Sequence, residues 1–185
     1  MGEGRYYKIS VTGDLGSGKS TVLKIMADKL GAEIVSIGYI QREMAKEMGM
    51  SINLFNGYME THPEIDREID FNLKKFENVN GKNLLFDSRL AWNFVPSAFS
   101  VYVSVDPEVA AKRVFEANRE TERYASPEEA VRELSRRRAS EILRYRTFYG
   151  LDITDMSNYD FVVDSTSLTP EEVADRIISE YESKR

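Results

Sequence analysis

Residues 13–21 read GDLGSGKST, and Gly13, Gly18, Lys19 and Ser20 fill the fixed places of the spacing G-x-x-x-x-G-K-[ST]. These residue types suit the grip on a triphosphate. Gly13, Gly16 and Gly18 let the backbone fold so that successive N–H groups turn inward at phosphate oxygens. A helix starting near Gly18 adds the positive end of its dipole. Lys19 brings a formal charge to the β- and γ-phosphates, and the Ser20 hydroxyl is a ligand for Mg²⁺. Gly13, Asp14, Leu15, Gly16, Ser17, Gly18, Lys19, Ser20 and Thr21 are therefore the candidate ATP-binding set.

Four further groups carry chemistry. Asp87 closes the apolar run Leu84-Leu85-Phe86; beside a phosphate turn, a carboxylate at a strand end holds the water shell of Mg²⁺. Arg42 and Arg89 each follow a predicted strand, where a second phosphate would lie opposite the first, and a guanidinium grips phosphate bidentately. Arg137, Glu141 and Arg144 stand at i, i+4 and i+7 and share one helix face. With Arg113, Arg119, Arg123, Arg136, Arg138 and Arg146 nearby, that region reads as a mobile lid whose cations cover the γ-phosphate and exclude water. His62, the single histidine, opens a helix and reads as structural, because an acceptor phosphate that is already an anion needs no general base. Trp92 offers a ring for base stacking, but a large aromatic in a loop reads first as packing.

These groups need elements to position them. Ile9 and Val11 alternate with Lys8 and Ser10, which predicts a strand over 7–12, and Val22, Leu23, Ile25, Met26 and Leu30 predict a helix ending at Gly31. A second strand is predicted over 32–37, followed by a helix over 39–48. Ser51 caps a short helix, and Pro63 stands at the first position of another that runs to Phe76. Residues 83–86 lack alternation and predict a strand buried on both faces. Residues 88–98 read as a loop, and 99–105 as the fourth strand. Helices are predicted after Asp106-Pro107 and from Ser126-Pro127 to Tyr149, with one more helical turn over 152–156. A fifth strand at 159–163 precedes a helix capped by Thr169. Strand and helix alternate throughout, which predicts an α/β layer fold with a five-stranded, mostly parallel sheet. The strands' carboxyl ends then gather Thr12–Gly18, Gly38–Arg42 and Asp87–Arg89 into one cleft.

Length and composition set the outer limits. A chain of 185 residues forms one domain with a substantial core. The net charge of −6 argues against nucleic acid as a partner. The absence of cysteine removes disulfides and thiolate metal sites and suits a reducing cytoplasm. The first ten residues are polar and no apolar run reaches membrane-spanning length, so a cytoplasmic, membrane-free monomer is expected.

The order phosphate turn, S-x-G-x-x-x-R (Ser36–Arg42), D-x-R (Asp87–Arg89), arginine-rich lid, D-S-T (Asp164–Thr166) resembles nucleoside monophosphate kinases. Within them, REMAKEMGMS at 42–51, HPEIDREID at 62–70, SRL at 88–90 and RYRTFYGLDITDMSNYDFVVDST at 144–166 look like the cytidylate kinase-like branch. The resemblance implies a P-loop NTPase-type three-layer fold with a helical acceptor-binding insert, about 38–80, and a short helical lid, about 117–140, within one domain of 1–185. It implies ATP and CMP or dCMP as substrates and Mg²⁺ as cofactor, held by Ser20 and Asp87. By position it implies that Ser36, Gly38, Arg42, Asp70, Arg89 and Glu141 meet the acceptor, and that Lys19, Asp87, Arg137 and Arg144 are catalytic. Three residues depart from the family pattern. Leu90 stands where many relatives have Asp, Tyr39 where several have Asp, and Lys19 where short members often carry Thr. Two other readings stay open: a P-loop kinase for another nucleotide or phosphorylated small molecule, and a non-enzymatic ATP-binding module.

Overall fold

The structure, a computed structural model, describes residues 6–117 and 124–184. Arg119 and Arg123 of the expected lid lie outside the described residues. The first strand, β1 (Lys8–Gly13), runs into helix α1 (Lys19–Leu30) through the glycine-rich turn. There follow β2 (Glu33–Ser36), α2 (Ile37–Glu47), α3 (Ile52–Met59) and α4 (Pro63–Lys74). The second half holds β3 (Leu84–Asp87), α5 (Ala91–Phe94), β4 (Phe99–Ser104), α6 (Pro107–Ala117), α7 (Pro127–Tyr149), β5 (Phe161–Asp164) and α8 (Pro170–Ser183).

The strands stand in the order β2-β3-β1-β4-β5, and all four pairings are parallel. Alternate residues send the core to opposite faces. Ile9, Val11, Leu85, Val101 and Val103 pack under α1 and α8, against Val22, Leu23, Met26, Val173 and Ile177. Leu84 and Phe86 point the other way, onto Ile37 of α2, Ile69 and Leu73 of α4, and Ala91 and Val95. Leu84, Leu85 and Phe86 are fully buried, as a strand covered on both faces requires. Strand order reverses at β1, between β3 and β4, so the crevice at its carboxyl end is where such sheets bind ligands.

Local signals explain most boundaries. Ser126 accepts a hydrogen bond from Glu129 N–H at the start of α7, Pro127 takes the first position, and left-handed Gly150 ends the helix. Thr169 and Glu172 form a reciprocal capping box on α8. Three expectations shift. Residues 88–98 contain the four-residue α5 rather than a bare loop. The helical turn expected over 152–156 is a 3₁₀ helix at Met156–Asn158, whose start is set by the Asp155 carboxylate accepting from Ser157 N–H. α2 begins at Ile37, not after Gly38, because Ser36 caps it by accepting from Tyr39 N–H. No helix among the described residues is long and apolar enough to cross a membrane.

Candidate active site

The crevice beyond β1 is a cleft of about 400 Å³. Gly16 to Val22 form its floor, Ile37, Gly38, Gln41 and Arg42 of α2 one wall, and Asp87, Ser88 and Arg89 the strand-end wall. Arg137, Glu141 and Tyr145 of α7 reach in from above, and Arg113, Ser165, Leu168 and Pro170 close the far end.

The floor is shaped by two close approaches. A Cβ on Gly13, at φ +147°, would lie 2.1 Å from the Val103 carbonyl oxygen; one on Gly16, at φ +79°, would meet the Ala110 backbone at 2.7 Å. Only glycine lets the turn nest this tightly against β4 and α6. Asp14 anchors the turn rather than facing the cleft. Its carboxylate accepts from Tyr102 Oη at 2.5 Å and from Val105 N–H at 3.1 Å, and Arg138 donates to the same tyrosine oxygen at 2.8 Å. The Ser17 hydroxyl is sealed in the floor with no protein partner among the described residues.

Lys19 folds back over the turn, donating to the Asp14 carbonyl at 3.0 Å and more weakly to that of Gly13 at 3.4 Å. Burial, reinforced by the Arg89 guanidinium, lowers its pKa to about 7. A polyphosphate bound against this turn would restore the charged form. ATP binding at pH 8 is therefore expected to take up about one proton, and affinity to fall as pH rises above 7. Calorimetric titrations in two buffers of different ionisation enthalpy measure this directly; identical heats would contradict it.

Glu141 organises the opposite side. It accepts from Arg89 Nε at 2.9 Å, and Arg137 Nε stands 3.6 Å from its other oxygen. Burial works to raise its pKa, but Arg89 and Arg137 outweigh that and hold it down to about 2. Arg89 also donates to the Gly13 carbonyl, so one guanidinium ties the end of β3, helix α7 and the phosphate turn together. Ser36 links the two remaining parts: its hydroxyl donates to Asp87 Oδ2 at 2.9 Å while capping α2. Arg42 folds over Gly38, its guanidinium 3.4 Å from where a Cβ would stand.

The structure thus brings Gly16, Ser17, Lys19, Ser20, Arg42, Asp87, Arg89, Arg137 and Glu141 to one cleft. It does not bring Arg144 or Asp70 there. Arg144 is 1% exposed and lies behind the wall, 3.5 Å from Asp66 and donating to the Asn56 carbonyl. Asp70 is buried too; burial raises its pKa to about 7, and it accepts from Tyr149 Oη at 2.9 Å. Leu90, at the departure from the family pattern, is fully buried against Tyr145 and Ile153. Trp92 donates to the Arg89 carbonyl and meets Tyr159 edge-on, which makes it packing. His62 stacks on Tyr58. Sequence reasoning missed Gln41 and Tyr145, and it counted Arg113 among the lid cations, whereas the structure fixes Arg113 at the far end, donating to the Ser165 and Thr166 carbonyls. Ser165 and Thr166 belong to the D-S-T run noted in the sequence.

Comparison with known proteins bears on the family and the fold. Residues 8–167 match the model of the cytidylate kinase-like family. The chain is 35% identical to the cytidylate kinase of Archaeoglobus fulgidus over 179 residues, covering 96% of each chain. It is 38% identical over 176 residues to an S-adenosylmethionine-dependent nucleotide dehydratase of Lacinutrix mariniflava; the match takes in 95% of this chain and spans 36% of that longer protein. In three dimensions it resembles shikimate kinase from Acinetobacter baumannii, with a TM-score of 0.59 at 18% identity over 97% of this chain and 95% of that one. With the phosphate turn, the all-parallel sheet and the family match over most of its length, the chain belongs to the cytidylate kinase-like family and is a phosphotransferase of the P-loop kinase type.

Proposed function

We propose that this protein transfers the γ-phosphoryl group of ATP to CMP or dCMP, giving ADP and the nucleoside diphosphate. The observation that carries the reading is Arg42. It lines the same cleft as the phosphate turn and has no ion-pair or hydrogen-bond partner among the described residues, as a cation reserved for a second phosphate would. The named activity of the Archaeoglobus relative supports cytidylate as the acceptor.

The chain's residues suit an in-line transfer. The turn and Lys19 fix the β- and γ-phosphates, and Arg42 with Arg89 places an acceptor oxygen opposite the leaving oxygen. Arg137, held by Glu141, neutralises the charge spread over the equatorial oxygens. The acceptor phosphate attacks as an anion, so no side chain takes up a proton. The set also fits Mg²⁺. Ser20 and Asp87 are hard oxygen donors on the cleft wall, and Asp87 commits only one oxygen to Ser36. Among the described residues no group of three or more acidic, His or Cys side chains forms a metal cage of its own, which suits an ion carried mainly by phosphates and water. When bound, that ion would offset phosphate charge. Residues 38–80 would serve as the acceptor region, and 117–140, of which 117 and 124–140 are described, as the lid.

A coupled assay with ATP against CMP, dCMP, UMP, AMP, GMP and dTMP tests the reading; no turnover with any of them would refute it. Arg42→Ala is expected to raise the KM for the acceptor by roughly 10- to 100-fold through loss of a charged contact, with the KM for ATP nearly unchanged. Equal losses for both substrates would remove Arg42 from the acceptor site.

A further inference from the structure

Gln41 stands apart from the other polar groups of the acceptor wall. It is 8% exposed and lines the cleft, yet no hydrogen bond to its amide exists among the described residues. Unlike the amide nitrogen of Asn56, which is sealed away and unpaired, the Gln41 amide keeps access to the cleft. An amide with no protein partner among the described residues that keeps access to a cleft is available to pair with a ligand there. Its surroundings indicate which part of a ligand does so. Gln41 lies one helical turn beyond Ile37 and immediately before Arg42, on a helix whose first residues line the cleft. Ile37 and Tyr145, 5% and 3% exposed, add apolar lining to the same cleft. Arg42 takes a phosphate; an apolar wall with one neutral amide suits the flat, partly polar ring attached to it.

We infer that Gln41 reads the hydrogen-bonding edge of the acceptor base, and that this amide admits both cytosine and uracil. The inference rests on the nucleoside monophosphate kinase reading. An amide presents one donor beside one acceptor and reverses the pair by a half-turn about its last bond. Cytosine offers an acceptor ring nitrogen beside an amino donor, and uracil offers a ring N–H beside a keto acceptor. One orientation of Gln41 matches the first and the reversed orientation the second. A carboxylate in this place would accept only, and a cation would donate only. CMP and UMP are accordingly expected as acceptors with kcat/KM values within about tenfold of each other, since no buried polar group is left unpaired by either.

The test compares wild type, Gln41→Met and Gln41→Asn with ATP, CMP, UMP and ribose 5-phosphate. Gln41→Met keeps the length and removes both hydrogen bonds. The KM values for CMP and UMP are expected to rise together by roughly 10- to 100-fold. The KM for ATP, the inhibition constant of ribose 5-phosphate against CMP, and the thermal midpoint are expected to stay put. Gln41→Asn, which retains a shorter amide, is expected between the two. Unchanged KM values for both pyrimidines in Gln41→Met would overturn the assignment, as would a parallel loss of ribose 5-phosphate binding. A wild-type preference for CMP over UMP beyond a hundredfold would overturn the dual acceptance. If wild type phosphorylates neither nucleotide, the kinase reading fails by itself; calorimetric titration of CMP into wild type and Gln41→Met then decides the role of Gln41, and equal affinities, or no binding to either, reject it.

Discussion

Lys19→Met is expected to leave a folded protein whose turnover is lower by roughly 10²- to 10⁴-fold, the usual cost of removing one charged contact to a transferring group. The fold is expected to survive for a specific reason. In the unliganded protein the Lys19 ammonium is a buried cation beside Arg89, and its pKa of about 7 records how unfavourable that placement is. Its hydrogen-bond partners are the Gly13 and Asp14 carbonyls, and the nearby Asp87 and Glu141 carboxylates offset burial only in part. Methionine keeps the stem and discards the charge, so stability is expected to hold or rise slightly while catalysis collapses. Steady-state rates paired with a thermal melt separate the two effects. Turnover near wild type would show that the phosphate turn does not hold the transferring group.

The second large effect is on stability. Glu141→Gln keeps the shape of a side chain that is 4% exposed but removes the one negative charge shared by Arg89 and Arg137. Breaking a buried ion cluster from one side strands the opposite charges, and the expected loss is about 3–5 kcal/mol. For a chain of this size that lowers the melting midpoint by on the order of 10 °C. The pH dependence identifies the cause. The Glu141 pKa is depressed from 4.5 to about 2, so its contribution is fully present above pH 4.5 and is lost as pH falls through about 2. Wild type should therefore shed stability over that window, and Glu141→Gln should shed less. Equal melting curves at neutral pH would mean that water, not Glu141, balances the arginines.

Much of this architecture is legible in the chain because its signals are local. The glycine spacing of 13–18, the Ser-Pro start of α7 and the Thr-Pro start of α8 each fix an element from within a few residues. The four-residue α5 is not legible, since it is far shorter than the window of about 11 residues in which a helical period shows. In the site, Arg137 and Glu141 declare themselves at i,i+4, but the Arg89–Glu141 bond joins residues 52 apart and only the parallel sheet brings them together. Arg144 shows the opposite failure. It shares the face of Arg137, as its spacing predicts, yet seven residues are about 10 Å along the axis. That displacement carries it past the cleft wall and onto Asp66. Gln41 is not legible because a glutamine on a helix has no signature; only burial without a partner marks it.

Helix α7 has 23 residues and is about 35 Å long. It is fastened at several heights. Ala130 and Leu134 pack on α6, Glu133 accepts from Asn53 of α3, Glu141 grips the end of β3 through Arg89, and Arg144 meets Asp66 of α4. A beam bolted in this way does not let its loads act separately. Any tilt that advances Arg137 over the cleft also pulls on Asn53 and Asp66, and so on the helices that follow Arg42 in the chain. If, as proposed, an acceptor is held against α2 and Arg137 delivers charge from α7, the two are parts of one lever, with the Arg89–Glu141 pair beside its fulcrum.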